Sequence, residues 1–126
     1  MPDKSYERHG VRVFECAAEG APLQQDRDAV DLIAEAWKHR AGLIVIPADR
    51  LGDAFFRLST RIAGEILQKF VTYRLRVAIV GDISGYVAES RALRDFVHGS
   101  NRGEQVWFVA SLEELDKRLE QHGVES

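Results

Sequence analysis

The sequence predicts a single α/β domain over residues 1–126: a mixed, mostly parallel sheet of about five strands with helices packed on it, in the order ββαβαβαβα. Three observations carry this. Two strand-like runs flank the two-residue linker His9-Gly10, as in a hairpin. Three apolar runs of strand length follow, LIVIP (43–47), LRVAIVG (75–81) and QVWFVA (105–110). Stretches of helical periodicity separate them, so the later strands belong to βαβ units whose sheet is covered by helices.

The hairpin strands are SYER (5–8) and VRVFEC (11–16), the second alternating Val11 and Val13 against Arg12 and Glu15. AAEGAPLQQ (17–25) reads as a loop. A helix then starts at a cap on Asp26 or Asp28, with Val30, Ile33 and Trp37 as its core stripe. Lys38, His39 and Arg40 complement the dipole of its last turn, and Gly42 ends it. Residues 51–73 repeat Leu51, Phe55, Leu58, Ile62, Ile66 and Phe70 on one face, as one helix or as two with Ser59-Thr60 capping the second. Ala88, Ala92, Leu93, Phe96 and Val97 make a helix ending near Gly99. Ser111-Leu112-Glu113-Glu114 is a capping box, and Leu112, Leu115 and Leu119 carry the last helix to Gly123.

Composition excludes several classes. A net charge of −3 disfavours a general nucleic-acid binder, and no apolar run approaches the ~20 residues needed to span a bilayer. The polar opening MPDKSYERHG is not a signal peptide, and Cys16 alone forms no intrachain disulfide, so a cytoplasmic protein is expected. Charge is uneven, however: residues 50–76 hold Arg50, Arg57, Arg61, Lys69, Arg74 and Arg76 against Asp53 and Glu65. Such a segment is either a solvated helix face or a docking face for an acidic partner or a second copy.

Ligands of open α/β sheets bind beyond the carboxyl ends of the strands. That rule selects Asp49, and then Asp82, Ser84 and Tyr86 in the turn GDISGY, as candidate ligand-binding residues. The turn does not match G-x-G-x-x-G, the P-loop or the G-x-S-x-G elbow. It stays open as a positive-φ turn with local Asp and Ser bonds, as an anion or ligand site, or as the site of an enzyme. His9, His39, His98 and His122 show no metal-ligand spacing, no catalytic triad is indicated, and no cofactor is expected. Cys16 is expected to be a small buried hydrophobe. The outer face of 57–72 offers Arg61, Glu65, Gln68 and Lys69 as an interaction surface, extended by Arg74 and Arg102.

The segments DAFFRLSTRIAGEILQKFVTY (53–73), RVAIVGDISGY (76–86), SRALRDFVHGSNRG (90–103) and VWFVASLEELDKRL (106–119) together resemble the bacterial family catalogued as domain of unknown function 4180. The elements that carry the likeness are Phe55-Phe56, Gly64-Glu65, Gln68-Lys69-Phe70, Tyr73, Gly81-Asp82 and Asn101-Arg102-Gly103. The element order is also similar to that of STAS domains, the fold of the anti-sigma-factor antagonists. In wording, Asp82-Ile83-Ser84-Gly85 and Glu89-Ser90-Arg91 resemble the STAS phosphoserine motif, although they follow the fourth strand and the STAS motif follows the third. These resemblances imply a non-enzymatic regulatory module acting through protein contacts, as a homodimer or with another protein. Ser84 and Ser90 are then the candidate phosphorylation sites.

Overall fold

The computed structural model describes residues 3–123. Strands β1 (Lys4–Arg8) and β2 (Val11–Glu15) form the antiparallel hairpin. Its linker takes the left-handed backbone that a two-residue turn needs, with φ of 51° at His9 and 80° at Gly10. Then follow α1 (Asp26–Lys38), β3 (Leu43–Pro47), α2 (Gly52–Phe56), α3 (Ile62–Thr72), β4 (Arg76–Val80), α4 (Ser84–Glu89), α5 (Arg91–Arg102), β5 (Val106–Val109) and α6 (Leu112–Gly123). The expected order holds, with the second and third crossovers each split into two helices.

The strands lie in the order β1-β2-β3-β4-β5, with all pairs after the first parallel. Every crossover steps the same way along the sheet, so right-handed connections bring α1, α3 and α5 to one face. On that face Phe14, Ile44, Ile46, Val77, Ile79 and Phe108 meet Ile33, Ile66, Phe70 and Leu93. The opposite face carries Val13, Leu43, Val45, Ala78, Trp107 and Val109, and is covered by Leu115 and Leu119 of α6.

Several sequence expectations need correction. The buried side of α1 is Ala29, Leu32, Ile33 and Ala36; Val30 and Trp37 are exposed. Its N-cap is Gln25, and Asp28 sits three residues on, accepting the Gln24 and Gln25 N–H groups at 2.9 and 3.1 Å. Gly42 does not terminate α1: Arg40 takes the left-handed position (φ 56°), with Ala41 N–H donating to Ala36 O and Arg40 N–H to Trp37 O. The end of α3 repeats this motif, with Arg74 at φ 57° and Leu75 N–H donating to Phe70 O.

The stretch 51–73 is two helices. Between them Leu58–Thr60 forms a 3-10 turn and Arg61 reverses the backbone at φ 66°. The Thr60 hydroxyl bonds Ala54 O and Arg57 O, which holds the break. Gly99 does not end a helix, because α5 continues to Arg102. Ser111 caps α6 as expected, but the Glu114 carboxylate reaches back to Ala110 N–H, and Leu112 is exposed.

Candidate functional site

β3 leaves the sheet through Pro47 into the 3-10 turn Ala48–Arg50, which carries Asp49. β4 leaves through Gly81, and the two exits nearly touch: a Cβ on Gly81 would lie 2.8 Å from Ala48 Cβ, and Gly81 has φ +151°. Close approach and backbone conformation thus both demand glycine. Asp82 follows, exposed, with its carboxylate accepting the Ser84 N–H at 2.9 Å. Bonds from the Ser84 hydroxyl and backbone hold the Asp82 carboxyl below the usual range. Asp82 therefore closes a local turn into α4.

Tyr86 points elsewhere. Its hydroxyl donates to Asp53 of α2, and its ring stacks on Phe56 at 4.6 Å and 15°. The bond to Asp53 is the largest of the effects that raise the phenol pKa. Asp53, Arg57, Ser59, Tyr86, Glu89 and Ser90 line an open cleft of about 520 Å³. Asp82 and Ser84 line a separate groove of about 290 Å³ with Glu114. The structure thus divides the four ligand candidates, with Asp49 lining neither hollow. Asp53 and Arg57 join Tyr86 from 33 and 29 positions away, beyond the reach of any local motif.

The candidate phosphorylation sites have structural positions. Ser90 is the N-cap of α5, its Oγ accepting the Leu93 N–H at 3.1 Å, and Ser84 opens α4. Among the described residues no three His, Cys, Asp or Glu side chains gather to hold a metal ion. His9 meets Asp116 at 3.2 Å and His39 stacks on Phe14; the His122 side chain lies outside the described residues. Cys16 is buried, and burial pushes its thiol up to about 12.

The basic stretch 50–76 does not gather on one face. Arg50 donates to Ala17 O and Ala21 O, tying down the 17–25 loop. Arg76 lies 4.7 Å over the Trp107 ring and donates to Glu104 O. Lys69 approaches Asp26 at 3.9 Å. Arg61, Glu65 and Gln68 line a shallow groove with Leu58, Gly64 and Phe96. Arg74 lies at the other end of α3, and Arg102 in the last turn of α5.

A family model described as "Domain of unknown function (DUF4180)" matches residues 8–119. The chain belongs to this family. No curated protein and no solved structure matches it.

Part of the DUF4180 resemblance now has a structural meaning. The Asn101 side chain pairs with the backbone of β5, its Oδ1 accepting the Phe108 N–H at 2.7 Å and its Nδ2 donating to Phe108 O at 3.1 Å. Gly103 O accepts the Trp107 indole N–H, and Asn101 O accepts from Arg118, which lies 4.4 Å over the same indole. Asn101 and Gly103 thus join α5, β5 and α6. Among the described residues of this DUF4180 chain, the exposed large apolar side chains are Val30, Trp37, Val71, Tyr73 and Leu112. The first four belong to α1, to α3 and to its C-cap Tyr73. Trp37 and Tyr73 meet edge-on at 5.4 Å where the two helices end. Sequence reading placed Val30 and Trp37 in the core and so missed this patch.

Proposed function

We propose that the protein is a non-enzymatic module that works through protein–protein contacts, with the outer seam of α1 and α3 as its contact surface. The observation that carries this reading is the exposed edge-on pair of Trp37 and Tyr73 at that seam, with exposed Val30 two turns earlier on the same face of α1. Apolar patches rimmed by charge mark contact sites, and Trp and Tyr dominate the residues that supply binding energy. Lys69 and Arg74, expected from the sequence as contact residues, lie on or at the end of α3. The resemblance in element order supports a STAS-like architecture and a regulatory role, and the lone, buried Cys16 fits a reducing cytoplasmic setting. In that role a phosphate on Ser90 would sit at the N-terminus of α5, where the helix dipole and the free N–H groups suit it.

Affinity purification from native cells tests the surface. Trp37→Glu should abolish association while costing the fold no more than the edge-on pair with Tyr73 contributes, whereas Lys117→Glu on α6 should leave association intact. Association unchanged by Trp37→Glu would sink the assignment.

The cleft of about 520 Å³ beside Tyr86 favours a second reading, a small polar ligand held between Asp53, Arg57 and Ser90. A thermal-shift screen of anions and metabolites, repeated on Tyr86→Phe and Arg57→Ala, tests it. Stabilisation lost in both variants supports the site, and no stabilised condition counts against it.

A further inference from the structure

We infer that the occupant of the α1–α3 seam is a second copy of this chain, docked about a two-fold axis through the middle of α1. This inference rests on the contact reading above and adds the partner. Arg27, Val30, Ala34 and Trp37 are spaced by three, four and three residues and are all exposed, so they form one stripe along α1. Ala34 sits near its centre. A methyl group there lets a second helix cross closely, since interaxial distance follows the size of the contacting side chains.

Charge along the stripe points to a copy of itself. Its N-terminal half carries Asp26, which Lys69 approaches at 3.9 Å, and Asp31 against Arg27. Its C-terminal end carries Lys38, which reaches Glu35 of its own helix at 3.4 Å, and Arg40, joined by Arg74 from the end of α3. A complementary partner must be basic at one end, acidic at the other and apolar between. The same surface turned through a two-fold axis meets all three requirements, because an isologous contact needs only self-complementarity. Antiparallel crossing at Ala34 sets each Trp37 against the other copy's Val30 and brings each Asp31 to the other copy's Lys38. Tyr73, edge-on to Trp37, holds the indole in place for that contact.

Sedimentation velocity on the full chain, from about 1 μM to about 1 mM, tests the proposal. The wild type should sediment at twice the chain mass, and Trp37→Glu should weaken the dimer at least tenfold. Asp31→Lys and Lys38→Glu should each weaken it, because each sets like charges together across the axis. The double variant D31K/K38E should recover most of the wild-type affinity. All these positions are exposed, and a melting curve for each variant checks that it folds. A monomer throughout the range overturns the proposal, as does a dimer that none of the variants moves. If the chain is a monomer while Trp37→Glu still loses association in the affinity experiment, only the second copy is wrong. If Trp37→Glu changes neither assay, the contact surface is wrong as well.

Discussion

The rings of Trp37 and Tyr73 meet at 78° with centroids 5.4 Å apart, yet 52% and 42% of the two side chains remain exposed. The pair ties the last turn of α1 to the C-cap of α3 without taking part in the core. An edge-to-face pair adds about 0.5–1.5 kcal/mol, so Trp37→Ala should lower stability by no more than about 1.5 kcal/mol. Trp107 is 1% exposed, and Trp107→Ala should cost about 3–5 kcal/mol. Urea unfolding of both variants checks the contrast. Equal losses would make Trp37 a core residue and remove the proposed surface.

The helix ends give a prediction of opposite sign. Arg40 and Arg74 hold left-handed backbone at φ 56° and 57°, a conformation costing a side-chain-bearing residue about 1 kcal/mol or more. Arg40→Gly and Arg74→Gly should each stabilise the fold by about 0.5–1 kcal/mol, read as a rise in melting temperature. A fall in either variant would show that the arginine makes a contact worth more than its backbone cost.

How far the sequence discloses the fold is clearest in α1. Bulk hydrophobicity selects Val30, Ile33 and Trp37, and the burial of Ile33 makes that stripe plausible. The true inner side adds Ala29 and Ala36, whose small side chains let the helix sit close against its neighbours. Hydrophobic periodicity weighted by side-chain size therefore points to the wrong edge of α1. The apolar strands were legible because a run such as LIVIP, buried on both faces, has no other economical explanation. The helix ends were not, because arginine occupies a position that glycine usually marks. The strand-end rule located Asp82 but could not show that its carboxylate is committed to Ser84, nor that Tyr86 turns to Asp53, 33 residues earlier.

Two glycines should respond in opposite directions. At Gly81 the added methyl of Gly81→Ala meets Ala48 Cβ at 2.8 Å in a backbone of φ +151°, so stability should fall by about 2 kcal/mol. At Gly64, inside α3, nothing lies within 4 Å, and Gly64→Ala should add about 0.5–1 kcal/mol of helix stability. Thermal unfolding separates the two. Destabilisation by Gly64→Ala would show that this helix position needs its bare backbone.

Cys16 is 2% exposed, with its thiol pushed up to about 12 by burial first and by the charge of Asp3 next. At pH 8 such a thiol holds about a thousandth of the thiolate of an ordinary one. A disulfide reagent should leave the native protein unmodified and label Cys16 rapidly in denaturant. Fast labelling of the native state would mean that the β2 exit opens freely.

The most direct measurement of the contact surface is photo-crosslinking in native cells, with a benzophenone side chain placed at position 37 and, as a control on the opposite side of the sheet, at position 117. Discrete adducts are expected from position 37 and none from position 117, the dominant one having twice the chain mass. No adduct from position 37, or an equal yield from both positions, would contradict it.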